Sequence, residues 1–191
     1  MVSTGLHVHD SLPRNTAGRQ VTTECAMVDT IPLVTNFIGI DPGVSGGIAW
    51  IAQGKPGAAK MPKEDKGIWD MLAGFSTTRT RAVIEKVHAS PQMGVTSAFT
   101  FGGAYRAAIM ALTAAGIDYE LVTPTAWQSA LGVRMVGGSI IGADRNARSK
   151  AKKASMKAQA KHMFPSIKVT NYTADALLIA EYCRRNALGD V

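Results

Sequence analysis

The stretch FIGIDPGVSGGIAWI, positions 37–51, constrains the chain most: two short apolar runs, FIGID and GIAWI, flank the glycine-rich turn PGVSGG. Apolar, β-branched runs bounded by Gly and Pro specify a β-hairpin. The first run ends on a carboxylate, Asp41, where a core is forming. Downstream, GAAKMP is expected as a third strand, and EDKGIWDMLAGF has helical spacing, with Ile68, Met71, Leu72 and Phe75 on one face. RAVIEKV is a β-branched run and hence a strand. FTFGGAYRAAIMALTAAG reads as a helix ended by Gly116, and YELVT as a fifth strand. Pro124 starts a short helix through TAWQSAL, and MVGGSIIGAD is a glycine-rich connection. A lysine-rich helix near Ser149–Met163 stops before Pro165, and a last helix runs from about Thr173 to Ala187. Antiparallel strands first, then strands alternating with helices, define an α/β domain with a five-stranded mixed sheet flanked by helices.

At 191 residues the chain supports one domain with a substantial core. Residues 1–34 are polar and mixed, without sustained periodicity, and are expected as a disordered tail preceding a domain at 35–191; Met27 is an alternative start. No apolar run nears the roughly 20 residues that span a bilayer, and the first residues lack the apolar centre of a secretory signal. A cytoplasmic protein with no membrane contact is therefore expected. Cys25 and Cys183 have no metal-type spacing and are expected as reduced thiols. The balance of 21 Lys+Arg against 14 Asp+Glu favours an anionic partner. The charge is local: between Val133 and Lys168 nine basic residues meet one acid, Asp144, and the remainder is close to neutral.

Three acids sit inside apolar elements: Asp41 at the end of the first strand, Glu85 within AVIEKV, and Asp175 in the first turn of TADALLIAEY. Each has a structural alternative. Asp-Pro-Gly is a common turn, a helix N-terminus favours any carboxylate, and Lys86 or Arg81 would pair with Glu85 at a strand end. Glu85, however, shares a strand face with Val83 and Val87, and an isolated buried carboxylate is costly. Strands about 4.8 Å apart bring Asp41 and Glu85 to one point if they pair, and a helix packed across the sheet brings Asp175. Converging carboxylates repel one another unless a cation neutralises them. All-oxygen ligands suit Mg²⁺ or Mn²⁺. With phosphate as a further ligand, two such ions support phosphodiester hydrolysis.

On the late helix Lys150, Lys153, Lys157 and Lys161 recur at i, i+3 and i+4 and share a face, and no acid occurs between Arg145 and Asp175. Such a stripe is expected to hold DNA phosphates, with salt-sensitive and sequence-independent affinity. In the loop HASPQMGVTSA, Met93 is a candidate wedge between bases; an ordinary surface loop is the alternative. Phe99, Phe101 and Tyr105 are expected as core contacts, and His162 as structural. The glycines of GVSGG, lacking a Gly-Lys-Ser/Thr ending, are expected to serve the hairpin turn.

Five motifs in order, IGIDPG, IEKVHASPQMGVTSAFTFG, VTPTAWQSALG, a Lys-rich helix ending HMFP, and ADALLIAEY, resemble RuvC-like Holliday junction resolvases from about Phe37 to Tyr182. The form with GVTSAFTFG and TPTAW is similar to that of bacteriophages and prophages. The resemblance implies an RNase H-like fold, a divalent-metal site and a homodimer that nicks two strands of a four-way junction. It implies Asp41, Glu85 and Asp175 as catalytic and metal-binding residues. It has two departures. Where bacterial resolvases carry a second aspartate one turn before the last, this chain has Tyr172, with Asn171 beside it as a weaker oxygen ligand. Where they carry a stacking aromatic three residues after the strand glutamate, it has His88. A Mg²⁺-dependent, structure-selective DNA endonuclease is therefore expected. A branched-DNA-binding protein that has lost cleavage and an RNA–DNA hybrid nuclease of the same fold are the alternatives. GIDPG also resembles the first phosphate loop of sugar-kinase and actin-like ATPases, but those folds need two such domains.

Overall fold

In the computed structural model, which describes residues 34–75, 79–88, 94–133 and 145–191, the alternation within FIGID decides the layering. Along β1 (Asn36–Asp41), Ile38 and Ile40 face one layer; Phe37, and with it Gly39 and Asp41, face the other. β1 pairs antiparallel with β2 (Gly47–Ala52), and β2 antiparallel with β3 (Lys55–Lys60). On its other edge β1 pairs parallel with β4 (Thr80–Glu85), and β4 with β5 (Asp118–Val122). The order β3-β2-β1-β4-β5 is the mixed five-stranded sheet expected from the sequence.

Ile38, Ile40, Ile48, Ala82 and Ile84 pack against α1 (Asp65–Ala73) and α2 (Val95–Ala114) through Ile68, Leu72, Ala108 and Leu112. On the opposite face Phe37, Ala49, Ile51, Val83 and Val122 meet α3 (Pro124–Ala130), α4 (Arg145–Met163) and α5 (Ala174–Leu188). α5 lies on β1, β2 and β4 with α4 beside it. Its segment Ala176, Leu177, Leu178, Ile179, Ala180 is wholly buried, as the nearly continuous apolar run ALLIA requires of a helix covered on more than one side.

Several expectations are corrected. β4 stops at Glu85 rather than running to Val87: the Lys86 N–H still donates to the Val122 carbonyl at 2.7 Å, and the chain then leaves the sheet. α2 and α4 begin at Val95 and Arg145, earlier than the sequence suggested. Phe99 is not a core contact but 85% exposed, because only the C-terminal half of α2, at Ala108, Ile109, Ala111 and Leu112, is buried. Tyr105 does pack against the α1–α2 layer. Residues 1–33, with Cys25 and Met27, lie outside the described residues. Cys183 is a buried free thiol whose pKa burial pushes up to about 12. No helix among the described residues is long and apolar enough to cross a membrane.

Candidate active site

Asp41 and Glu85 are the last residues of β1 and β4, and the parallel register that pairs Ile40 with Ile84 carries the two acids forward side by side. Both continue the rows of Phe37 and Val83, so they project to the side covered by α5. Asp175 lies in the first turn of α5, whose N-terminus carries the positive end of the helix dipole. Two strand ends and one helix start thus deliver the three acids to one end of the sheet.

Their electrostatics register that proximity. Asp41 is raised well above the usual aspartate range, first by burial, then by the charges of Glu85 and Asp175 and by a hydrogen bond to Glu85; Lys153 opposes the shift. Glu85 is raised by burial and by Asp175, against the hydrogen bond from Trp127, the bond from Asp41 and the charge of Lys152. Asp175 is raised by burial, with Lys152 and Lys153 lowering it. Among the described residues no buried side-chain nitrogen or oxygen lacks a partner.

Trp127 holds Glu85 from below. It is 1% exposed, and its Nε1–H donates to Glu85 Oε1 at 3.4 Å. The indole is delivered by α3, which Pro124 starts and the Thr123 hydroxyl caps by accepting from the Ala126 N–H. The ion pair considered for Glu85 does not form: Arg81 sits 3.7 Å from Glu120, and Lys86 is exposed.

A cleft of about 510 Å³ opens over Asp41 and Asp175, walled by the turn 42–46, by Thr96, Ser97, Thr100 and Phe101 of α2, and by Lys153 and Asn171. The turn needs its glycines: Gly43 adopts φ +118°, and a Cβ on Gly46 would strike the Asp41 carbonyl. Phe101, expected in the core, is half-buried and lines this cleft.

Of the other candidates, Lys153 reaches the acids electrostatically, while Lys150 and Lys161 are exposed and Lys157 half-buried farther along α4. None of the four forms a salt bridge among the described residues. His88 is exposed just beyond Glu85, and Met93 lies outside the described residues. The reading from sequence missed Lys152, Trp127 and the α2 hydroxyls. Lys152 is placed by the fold: buried Met156 and Ala160 mark the inner line of α4, and Lys152 and Lys153 extend that line one turn back.

The oxygen-only donor set suits a hard divalent cation. The three carboxyls lie within electrostatic reach of one another. Among the described residues no three His, Cys, Asp or Glu side chains are gathered closely enough to enclose an ion.

A mixed five-stranded sheet in this order, covered on both faces by helices, is an RNase H-like fold of the kind seen in RuvC structures. Solved structures that share it include two of RuvC. One, titled T. thermophilus RuvC in complex with Holliday junction substrate, superposes with TM-score 0.54 at 18% identity, covering 82% of this chain and 97% of that one. The other, a Thermus thermophilus RuvC structure, gives TM-score 0.54 at 19% identity, covering 82% and 98%. No family model and no curated protein matches the sequence.

Proposed function

We propose that this chain is a divalent-metal-dependent endonuclease that cuts branched DNA, the four-way junction above all, by paired nicks. The observation that carries the reading is the convergence of Asp41, Glu85 and Asp175 at one end of the sheet, within electrostatic reach of Lys152 and Lys153 and with a cleft opening over Asp41 and Asp175. Carboxyls this desolvated and this mutually repelling are a poor arrangement for a scaffold, and a good one for cations that would neutralise them. Two Mg²⁺ or Mn²⁺ ions held by the three acids would supply an activated water and neutralise the leaving oxygen. The chain's own residues do the rest. Trp127 fixes one oxygen of Glu85. Lys152 and Lys153 set positive charge where the phosphorus gathers negative charge, and Lys150, Lys157 and Lys161 continue that charge along α4 as a track for the backbone. His88 extends the DNA surface beyond β4, and Met93 would enter it from the following loop.

The junction as substrate is supported by the fold shared with a RuvC structure titled as bound to one. Phage or prophage origin rests on the motif resemblance, and a cytoplasmic location on the sequence pattern. The homodimer has support on α2, where Val95, Phe99 and Met110 are exposed along one face with Gly102 and Gly103 between them. Glycine inside a helix is less favourable than alanine by about 1 kcal/mol. A Cβ at either glycine would meet nothing within 4 Å in this chain; close approach of a second copy would use that space.

A second reading, binding without cleavage, is favoured by Tyr172, an aromatic at the position of the expected further acid. Nicking assays on a four-way junction, duplex, Y-fork and RNA–DNA hybrid with Mg²⁺, Mn²⁺ or EDTA separate the options. Paired, metal-dependent nicks confined to the junction are expected. Equal cutting of forks or hybrids removes junction selectivity, and tight binding without cutting selects the second reading.

A further inference from the structure

At the sheet end that carries the acids, Asp41 on β1 pairs with Gly47 on β2, and Gly47 with Lys60 on β3. Residues paired across antiparallel strands project to the same face. Lys60 therefore faces the side of Asp41, two strand spacings or about 10 Å away. Gly47 leaves the middle of the row open, because a Cβ there would strike the Tyr172 carbonyl. Tyr172 thus lies across β2, and its ring centroid is 4.4 Å from Lys60 Nζ, a cation–π contact.

This platform is built rather than incidental. The Tyr172 N–H donates to Thr170 Oγ1 at 3.3 Å, the Thr170 N–H donates to Thr173 Oγ1 at 3.0 Å, and the two hydroxyls bond each other at 3.1 Å. The turn so pinned also sets Asn171 into the cleft wall. Lys60 forms no salt bridge among the described residues, so the ring orients an ammonium whose donors stay open to solvent. The cations that reach the acids electrostatically, Lys152 and Lys153, come from α4; Lys60 approaches from β3.

We propose that Lys60, held by the Tyr172 ring, contacts a backbone phosphate of the bound strand where it leaves the acid cluster across β2 and β3. Tyr172 is then a positioning residue, put to use at the place where an acid was expected. This rests on the nucleic-acid reading of the cleft, and its test needs binding but not cleavage.

The measurement is the affinity of a labelled four-way junction in EDTA from about 50 to 200 mM salt, the range over which phosphate contacts are counted. Lys60→Ala is expected to weaken binding and reduce the slope of log K against log[salt] by about 0.9, one phosphate contact. Tyr172→Leu is expected to move both in the same direction, Tyr172→Phe to recover them because it keeps the ring, and Lys60→Ala with Tyr172→Leu to bind no worse than Lys60→Ala alone. Unfolding temperatures confirm that each variant is folded. An unchanged slope in Lys60→Ala, beside a reduced one in Lys150→Ala with Lys157→Ala, overturns the Lys60 contact and spares the nuclease reading. Additive effects of the two substitutions overturn the positioning role of Tyr172. No junction binding by the wild-type chain overturns the underlying reading and this one with it.

Discussion

Replacing Gly39 by alanine adds one methyl group in the middle of β1, directly beneath α5. The new carbon would stand 2.8 Å from Ala180 Cα and nearer still to Ala180 N and Ala176 O, whereas ordinary contact begins at 3.4 Å. Every colliding atom is backbone, so no rotamer change relieves it and α5 has to lift by roughly 1 Å. Overpacking a close-packed core is destabilising by about 1–3 kcal/mol. A collision with the backbone of the helix that buries Leu177, Leu178 and Ile179 completely belongs at the upper end. For a domain of this size about 3 kcal/mol lowers Tm by roughly 6–12 °C. Asp175 rides on the same helix, so the acid cluster loosens with it, and a displacement near 1 Å reduces catalysis by about 10²-fold. Thermal unfolding by circular dichroism, with junction nicking well below the variant's Tm, reads both effects. Gly74→Ala is the control: Gly74 already has a helical φ of −64°, and its Cβ would find its nearest atom at 3.9 Å, so its Tm should hold or rise. A wild-type Tm for Gly39→Ala would refute the backbone-to-backbone seating of α5 on β1. A lowered Tm with full cleavage in the cold would refute the claim that this seating sets the site.

In metal-free buffer Asp41 binds its proton more tightly folded than unfolded, so its contribution is present at low pH and lost as pH rises through its raised folded pKa. Wild-type Tm should therefore rise as pH is lowered from about 8 toward 5, and Asp41→Asn should raise Tm at neutral pH and flatten that slope; a flat wild-type profile contradicts this. Trp127→Phe removes the 3.4 Å bond to Glu85 and leaves a void. Stability should fall by about 1–2 kcal/mol, and the acid limb of the pH–rate profile should move upward, because that bond lowers the Glu85 pKa. If the chain dimerises through α2 as proposed, Phe99→Glu should convert that dimer to a monomer in sedimentation equilibrium with little change in subunit fold, since Phe99 is 85% exposed; a wild-type chain that is already monomeric contradicts the α2 dimer.

The strands and two of the acids were legible because period-two alternation is a local property. Ile38 and Ile40 mark one face of β1, which assigns Asp41 to the other; Val83 does the same for Glu85. Asp175 stood out only beside the other two acids and through the motif resemblance, because a helix start favours any carboxylate. Lys152 was not legible, because lysine spacing finds a stripe but not which side of the helix is covered; that is decided by Met156 and Ala160 meeting the α5 layer. The Phe99 error has a related cause. α2 is rich in apolar residues on every side, so its sequence does not distinguish the half covered by the sheet from the exposed half. Trp127 was read as part of a motif, but its bond to Glu85 depends on how α3 is set beside β4, which spacing does not specify.

The most direct test of the three-acid site is single-turnover nicking of a labelled four-way junction in Mg²⁺ or Mn²⁺ by the wild-type chain and Asp41→Asn, compared at equal bound fractions. Paired nicks by the wild type, abolished by EDTA, and at least about 10²-fold slower cutting by the fully bound variant are expected. Cutting by Asp41→Asn at the wild-type rate, or a bound wild-type complex that stays intact in both metals, would contradict the account.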